Sequence, residues 1–234
     1  MSSENKIDNK IDVAKMASSS RREYIGDNIT LDTTPAEPFG LFIKWLEDAM
    51  QRADIQDGNA MCLSTLSQKD SPHSRMVLLK DVEYGDDDKE HGFVFYTNYE
   101  GNKAQEIETN PAVALNFWWP PIYRQVRIEG KAYKLDRLKT QKYFATRDRG
   151  SQIGAWASPQ SRQISSYEEL TARVKEIEDR FDGEEVPVPP HWGGYIVCPS
   201  MIEFWQGSPS RLHSRIIYRQ QVKGAAWDKI MLAP

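Results

Sequence analysis

Short strand-like runs follow one another along most of this sequence, whereas its long helical segments are confined to one stretch at about residues 136–182. Strands that neighbour each other are typical of antiparallel sheets, and regular alternation of strands with helices would instead indicate a parallel sheet. The pattern therefore predicts an α+β fold in which helices pack outside an antiparallel β-barrel. The predicted strands cover residues 60–66, 75–80, 92–98, 112–119, 124–135, 195–207, 211–219 and 226–233.

The start of the chain differs from the rest. Residues 1–30 are rich in Ser, Asn, Asp and Lys and show no apolar period, which predicts a flexible N-terminal arm. No repeat or linker divides the remainder, so residues 31–234 are predicted to form a single domain. A helix is predicted at 38–50 from the spacing of Phe39, Phe42, Ile43, Leu46 and Met50, and a short one at 102–110.

Composition and missing motifs exclude several classes of protein. A net charge of −4 argues against binding to duplex nucleic acid, which usually needs a basic surplus. Neither a long apolar run nor a secretory signal is present, so no membrane association is expected and the predicted compartment is the cytoplasm. The sequence has no dinucleotide or P-loop fingerprint and no paired histidine spacing for a metal. Cys62 and Cys198 are predicted to be buried free thiols.

The segment "SRMVLLK" places two cations at the ends of an apolar strand. In a regular strand Arg75 and Lys80 point to opposite faces, so they would grip different ligands unless one lies past the strand end. Two charges that merely cap a hydrophobic strand explain the pattern equally well.

A polar face opposes an apolar one in "RQVRIEG", where Gln125, Arg127 and Glu129 alternate with Val126 and Ile128. Such a face is usually just solvated. The Gln125 amide could instead hydrogen-bond a planar heterocycle such as a flavin.

The segment "YFATRDRGSQIGAW" combines groups that suit a phosphate. Tyr143 and Arg147 are four residues apart on one helix face, Gly150 suits the end of that helix, and Ser151 suits the N-cap of the next. An arginine, a tyrosine hydroxyl and a helix N-terminus can together bind an anion. A capped turn with a surface arginine is the alternative.

The segment "FWQGSPSRLHSR" is the strongest physical indication of a site. Read as a strand, it projects Arg211, His213 and Arg215 from one face and Leu212 and Ser214 from the other. Two guanidiniums beside an imidazole repel one another unless an anion or a polarisable ring lies between them.

Eight segments, in this order, closely resemble the pyridoxine (pyridoxamine) 5′-phosphate oxidase family. They are "RMVLLK", "FYTN", "RQVRIEG", "SQIGAW", "QS", "WGG", "EFWQG" and "RLHSR", and the likeness runs from about Arg21 to Pro234. The resemblance implies a homodimeric split β-barrel with FMN at the subunit interface. It also implies oxidation of pyridoxine 5′-phosphate and pyridoxamine 5′-phosphate to pyridoxal 5′-phosphate, with dioxygen as acceptor and hydrogen peroxide as by-product.

The resemblance also assigns roles to individual residues. FMN-binding positions are Arg75, Met76, Val77, Leu78, Leu79, Lys80, Tyr96, Thr97, Lys103, Gln125, Gln160, Ser161, Trp205 and Arg215. Substrate-binding positions are Lys80, Tyr143, Arg147, Ser151, Arg211, Leu212 and His213, with Arg21, Arg22, Glu23 and Tyr24 from a stretch that folds over the occupied site. Arg211 and His213 would be the catalytic pair beside C4′ of the substrate.

Four positions depart from the family pattern. Asn102 stands where an arginine often occurs, Asp148 replaces a proline, Ser214 replaces an aspartate and Met231 replaces an arginine. If residue 214 points away from the two arginines, as strand parity predicts, the change alters their support without removing the site.

Two rival functions are compatible with the same fold. One is a non-catalytic flavin- or pyridoxal-phosphate-binding protein, because a fold alone hosts many functions. The other is a split-barrel reductase for another substrate, which would keep the FMN contacts but not Tyr143, Arg147 and Ser151. Because that set is present, the reductase is the weakest hypothesis.

Overall fold

The computed structural model describes residues 23–84, 91–222 and 224–234, which form one antiparallel sheet with helices packed against it. The strands are β1 (Ala60–Leu66), β2 (Pro72–Leu78), β3 (Asp81–Glu83), β4 (Gly92–Asn98), β5 (Ala112–Trp119), β6 (Arg124–Lys134), β7 (Trp192–Gln206), β8 (Ser214–Arg219) and β9 (Asp228–Leu232). The helices are α1 (Pro38–Met50), α2 (Asn102–Thr109), α3 (Arg137–Ala145), α4 (Arg149–Ala157) and α5 (Tyr167–Arg180). The predicted α+β split-barrel fold is confirmed.

The long strand β7 organises this sheet. Along one side it pairs with β6, in the order β2-β1-β5-β6-β7-β4-β3. Along its other side, residues 192–197 pair with β4 and residues 201–206 pair with β8. The sheet therefore splits where β4 gives way to β8. A register shift in β6 between Glu129 and Gly130 lies beside this point, and such bulges bend a strand.

Helix α1 fills the curve of the sheet. Proline at its first position and the Glu37 carboxylate, which accepts from the Phe39 amide at 2.7 Å, fix where it begins. The Phe42 ring packs 4.8 Å from that of Phe93, centroid to centroid. The predicted helix bounds are confirmed, but the buried stripe runs through Trp45, whereas Met50 is 55% exposed. Ile43 and Leu46 only flank the core.

Helices α3 and α4 meet at a tight turn beside the sheet. α3 ends at Ala145, and α4 starts after Asp148, whose Oδ1 accepts from the Ser151 amide at 2.8 Å. The prediction that Gly150 ends the first helix and Ser151 caps the second is wrong. Asp148 is itself a favourable N-cap residue, and it starts the helix three residues earlier.

The segment before α1 lies against the end of the sheet. Residues 23–30 form neither helix nor strand, yet the Asn28 Oδ1 accepts from Ser208 at 2.7 Å and from Ser214 at 3.1 Å. A Cβ at Gly26 would lie 2.6 Å from the Gly207 carbonyl oxygen, so a side chain there would push the segment away. Arg21 and Arg22 lie outside the described residues, with the rest of 1–22. The boundary at residue 30 and the flexibility of the arm remain predictions.

The strand predicted at 211–219 is shorter than expected. Residues Pro209–Arg211 form a 3₁₀ turn and β8 begins at Ser214. Ser210 and Arg211 both have left-handed backbone angles, with φ of 55° and 63°, which no strand accommodates. The prediction that Arg211, His213 and Arg215 share one strand face is therefore wrong.

Two further expectations concern the environment of side chains. Cys62 and Cys198 form no disulfide, and both are half-buried, less deeply than predicted. None of the helices in the described ranges is long and apolar enough to cross a membrane.

Candidate active site

A cavity of about 590 Å³, here named the basic cavity, opens beside β2, β4 and the α3–α4 turn. Four cationic side chains line it: Arg75, Lys80, Lys103 and Arg147. Among the described residues, only Arg75 of these four has an acidic partner within ion-pair distance. The other lining residues are Met76, Val77, Leu78, Tyr96, Thr97, Tyr143, Thr146, Asp148, Ser151, Gln160 and Trp192. Such a surplus of positive charge in a concave site favours an anionic ligand.

Arg75 and Lys80 both reach this cavity, although they are five residues apart. Strand β2 ends at Leu78, so Lys80 lies past the strand end, and the alternation of side chains between the two faces of a strand does not apply to it. Of the two arrangements that the sequence left open, the structure has the one in which both cations face a single space.

Lys103 is held by neutral partners. Its Nζ donates to the Gln160 Oε1 at 2.7 Å and to the Thr97 Oγ1 at 3.2 Å. Burial, together with the positive charge of Arg75, lowers the pKa of the Lys103 ammonium. A bound anion would offset both effects, because an opposite charge favours the protonated amine.

Arg147 is the most informative residue of the cavity. Its guanidinium lies 4.7 Å from the centroid of the Trp192 ring, and its buried Nη1 has no hydrogen-bond partner among the described residues. Burial lowers the pKa of this group. Buried donors are nearly always satisfied, so an unpaired guanidinium nitrogen indicates a missing acceptor.

Parallel aromatic rings form one wall. The Tyr96 and Tyr143 rings stack at 4.0 Å, and the Trp192 ring stacks on Tyr96 at 5.3 Å. Burial, followed by the neighbouring Tyr143, raises the pKa of Tyr96 to about 12. Burial also raises the pKa of Tyr143. Both hydroxyls therefore stay protonated at neutral pH and are available as donors.

A second group of predicted residues, here named the β7–β8 cluster, lies where β7 ends and β8 begins. The His213 and Trp205 rings are 4.6 Å apart, and the Tyr24 ring meets both edge-on at 5.3 and 5.8 Å. The backbone amide of Ser208 donates to the His213 Nδ1 at 3.1 Å. Burial and the charge of Arg211 lower the pKa of His213, so the imidazole is neutral at neutral pH.

One of the two arginines in the β7–β8 cluster, Arg215, is already paired with a carboxylate. The buried Glu203 carboxylate accepts from Arg215 Nε at 2.8 Å and from Arg127 Nη1 at 2.9 Å. The hydrogen bond to Glu203 raises the pKa of Arg215. Gln125 is the register partner of Trp205 and lies on the same sheet face.

The predicted site residues thus fall into two groups that one protomer does not bring together. The basic cavity contains Arg75, Met76, Val77, Leu78, Lys80, Tyr96, Thr97, Lys103, Tyr143, Arg147, Ser151 and Gln160. The β7–β8 cluster contains Tyr24, Gln125, Trp205, Arg211, His213 and Arg215. Leu79 instead lies in the core, and Glu23, Ser161 and Leu212 are exposed, each next in sequence to a member of one of the two groups.

Sequence reasoning missed Glu106, Glu203 and Trp192. Each lies next to a predicted residue in space, and for two of them the sequence spacing could have indicated this. Glu106 lies three residues after Lys103 on a helix, and Glu203 precedes Trp205 at strand spacing. Their carboxylates support predicted arginines, a role that a list of ligand-binding motifs does not suggest.

Comparison with known protein families gives two matches that together span most of the chain. Residues 46–181 match the model described as "Pyridoxamine 5'-phosphate oxidase". Residues 192–234 match the model described as "Pyridoxine 5'-phosphate oxidase C-terminal dimerisation region". The second match covers β7, β8 and β9, and its range includes Trp205, Arg211, His213 and Arg215 of the β7–β8 cluster.

Curated relatives agree with these matches. A pyridoxine/pyridoxamine 5′-phosphate oxidase of Rubrobacter xylanophilus is 48% identical over 92% of this chain and 94% of its own length. One of Chromohalobacter salexigens is 45% identical over 92% of this chain and 96% of its own length.

Solved structures show the same architecture. PhzG from Burkholderia lata 383, in complex with tetrahydrophenazine-1-carboxylic acid, has a TM-score of 0.79 and 26% identity, covering 89% of this chain and 99% of its own. A pyridoxamine 5′-phosphate oxidase-related, FMN-binding protein from Nostoc punctiforme has a TM-score of 0.67 and covers 86% of this chain and 100% of its own. At 13% identity, the second likeness shows the fold alone.

Proposed function

The chain belongs to the pyridoxine/pyridoxamine 5′-phosphate oxidase family, and from this premise we propose its reaction. It oxidises pyridoxine 5′-phosphate and pyridoxamine 5′-phosphate to pyridoxal 5′-phosphate, with FMN as cofactor. Dioxygen accepts the two electrons removed at C4′ and leaves as hydrogen peroxide; with the amine substrate, water then replaces the nitrogen at C4′, which leaves as ammonia. The cytoplasmic location and the lack of a nucleic-acid partner stay predictions.

The basic cavity fits a flavin phosphate and a substrate phosphate. It has four cations for a single lining carboxylate, that of Asp148, and one buried guanidinium nitrogen lacks an acceptor. We assign Arg75 and Lys103 to the FMN phosphate, with Thr97 and Gln160 beside them. When bound, FMN supplies the acceptor for the hydride that leaves C4′.

The substrate phosphate is assigned to the other side of the cavity. Lys80 and Arg147 supply positive charge, Tyr143 supplies a protonated hydroxyl, and Ser151 lies in the first turn of α4. Anchoring a phosphate far from the reacting carbon uses remote binding energy to orient that carbon. Asp148 lies at the same rim and already accepts the Ser151 amide, so it competes with the phosphate for that donor.

Arg211 and His213 are assigned to the reacting end of the substrate. His213 is neutral at neutral pH, and its Nδ1 accepts a hydrogen bond, which leaves the Nε2–H to donate. That donor can hold the 4′ oxygen or nitrogen. The exposed Arg211 guanidinium can stabilise charge that develops there as hydride leaves.

A homodimer would bring the two groups together. Residues 192–234 match a dimerisation region, and the sheet face that carries the β7–β8 cluster also exposes Trp118 at 42% and Met76 at 64%. Large exposed apolar side chains on one face are typical of interfaces. In this arrangement the basic cavity of one protomer is completed by the β7–β8 cluster of its partner.

The observation that carries the proposal is the unsatisfied Arg147 nitrogen beside three other cations in a family-matched cavity. The test mixes the FMN-loaded protein with pyridoxine 5′-phosphate under anaerobic conditions and follows the loss of flavin absorbance. We expect complete bleaching, and only slow bleaching with pyridoxine, which lacks the phosphate.

Matched variants sharpen this test. Arg147→Ala should require a far higher concentration of the phosphorylated substrate, whereas Arg173→Ala, on α5, should behave like the parent. A protein that binds FMN but is bleached by neither phosphorylated substrate would favour the non-catalytic binding protein instead.

A further inference from the structure

Glu106 is a carboxylate buried in the wall between two cavities. Its side chain contacts Arg75 of the basic cavity and also lines a smaller cavity of about 400 Å³ that contains His73 and Asn102. The residue is only 7% exposed. Acidic side chains are rarely buried so deeply unless partners satisfy them.

Three side chains satisfy this carboxylate. His73 Nδ1 lies 2.6 Å from Oε1, Arg75 Nη2 lies 3.1 Å from Oε2, and the Thr65 hydroxyl donates to Oε2. Burial opposes ionisation of Glu106, but the hydrogen bonds with Thr65 and His73 and the charge of Arg75 outweigh it and lower its pKa. The carboxylate is therefore ionised at neutral pH.

These contacts also fix Arg75. Its Nη1 donates to the Thr65 Oγ1 at 2.5 Å and to the Leu63 carbonyl at 3.3 Å, while Nη2 donates to Glu106. A guanidinium has five N–H groups, so these three bonds leave two for a ligand. Because Arg75 is oriented beforehand, less side-chain freedom is lost when an anion binds.

We propose that Glu106 is the positioning residue of the flavin-phosphate site, where it holds Arg75 in the orientation that binds the phosphate. The inference rests on the proposed function, in which Arg75 contacts FMN. The position of Asn102 strengthens it. The family pattern often has an arginine at position 102, but this chain has Asn102, which is exposed and lines the smaller cavity. The FMN phosphate therefore depends on Arg75 and Lys103 for its positive charge.

The test measures the affinity of the full-length, flavin-free protein for FMN and for riboflavin, by quenching of flavin fluorescence. Riboflavin lacks the phosphate, so it reports any general damage to the site. Glu106→Ala should weaken FMN binding about tenfold and leave riboflavin binding unchanged. Glu106→Gln keeps the shape and one acceptor oxygen and should restore most of the FMN affinity.

Two further comparisons isolate the route through Arg75. In an Arg75→Ala background, Glu106→Ala should weaken FMN binding no further, because its effect is transmitted by Arg75. Glu108→Ala, an exposed change on the same helix, should match the parent. If Glu106→Ala fails to fold, Glu106→Asp is used instead. It retracts the carboxylate by one methylene and should weaken the binding of FMN but not that of riboflavin.

The possible failures are distinguishable. A parent protein that binds no FMN overturns the proposed function and this inference together. A parent that binds FMN, with position-106 variants that bind it equally well, overturns only the inference. Equal weakening of FMN and riboflavin would assign Glu106 a general structural role and also overturn it.

Discussion

The basic cavity and the β7–β8 cluster each contain two arginines, and the arginine whose surroundings stand out differs between them: within the described ranges, Arg147 in the cavity lacks a partner for one nitrogen, and Arg215 in the cluster is paired with a carboxylate. Glu203 accepts hydrogen bonds from Arg215 of the cluster at 2.8 Å and from the neighbouring Arg127 at 2.9 Å. In the cavity, Arg147 has a buried nitrogen with no partner among the described residues. A site with unsatisfied cations binds a permanent anion such as phosphate. A site with a neutral imidazole and the exposed Arg211 guanidinium can act on a group whose charge changes during reaction.

The two regions also lie at opposite ends of one strand. Trp192 at the start of β7 belongs to the cavity wall, and Trp205 near its end belongs to the cluster. An extended strand of 15 residues spans up to about 50 Å at roughly 3.3 Å per residue. This separation is the reason for the proposal that each protomer contributes two half-sites to a dimer and does not hold one complete site.

The largest expected effect comes from mixing two inactive proteins. Arg147→Ala removes the cavity half and His213→Ala removes the cluster half, so each homodimer should have little activity at low substrate. After unfolding and refolding together, the mixed dimer has one site in which both halves are intact. Activity should recover to about a quarter of the parent, because half of the dimers are mixed and each has one good site.

Activity of the mixture is measured at low substrate against each variant refolded alone. In the matched control, Arg147→Ala is refolded with a second preparation that also carries Arg147→Ala, and activity should not recover. Mass measurement confirms that mixed dimers have formed. If such dimers recover no activity, each protomer has a complete site, and the division into two half-sites is wrong.

The next largest effect separates binding from reaction. In the proposed function Arg147 binds the substrate phosphate, a contact that exists in both the ground and transition states, so Arg147→Ala should raise KM about ten- to a hundredfold with a smaller change in kcat. Arg211→Ala and His213→Ala should instead slow flavin reduction at saturating substrate. Rapid mixing under anaerobic conditions separates this step from reoxidation. Parent rates in the Arg211 and His213 variants would remove them from the reaction.

Much of the fold, and the cations of the basic cavity, could be predicted from the sequence, because local patterns fix local structure. The spacing around Phe39 and Phe42 predicted α1, and alternation at Val126 and Ile128 predicted β6. The cations of the cavity were also named, from their motifs. What failed was the backbone between Pro209 and Ser214, since a left-handed pair at Ser210 and Arg211 leaves no periodic signal.

Glu106 and Glu203 were missed for a different reason. Each supports an arginine on a different element, Glu106 from helix α2 to strand β2 and Glu203 from β7 to β8, and such pairing depends on how those elements pack and pair. Motifs in sequence order also do not show which of them face the same space, so the residue pattern did not divide the site into two groups; only the family resemblance implied a flavin at a subunit interface.

A smaller effect concerns the pH dependence of the cluster. The positive charge of Arg211 helps to lower the pKa of His213, so its removal favours the imidazolium. Arg211→Ala should therefore move the acidic limb of the flavin-reduction profile to higher pH. Arg215→Lys keeps a cation beside Glu203 and should leave that limb in place. A shift to lower pH in Arg211→Ala would contradict the arrangement.

The smallest effect is expected at Ser214. This buried hydroxyl donates to Asn28 at 3.1 Å, so it faces the N-terminal segment and not the cavity. Ser214→Asp should lower the free energy of unfolding by about 1–2 kcal/mol, because a carboxylate meets the Asn28 carbonyl oxygen there. Activity should change less than about tenfold. Urea unfolding measures the first quantity, and Ser214→Ala is the control for a lost hydrogen bond.

The same contact constrains how this sequence can drift. Asn28 accepts hydrogen bonds from Ser208 and Ser214, although it lies 186 positions from Ser214 along the chain. A carboxylate at position 214 needs a hydrogen-bond donor at position 28. A donor at position 28 no longer accepts from the Ser208 hydroxyl, so that bond is lost unless the Ser208 hydroxyl rotates to accept instead. Positions 28, 208 and 214 should therefore tend to change as a set during divergence, and an exchange of residue 214 alone should carry the modest loss of stability expected for Ser214→Asp.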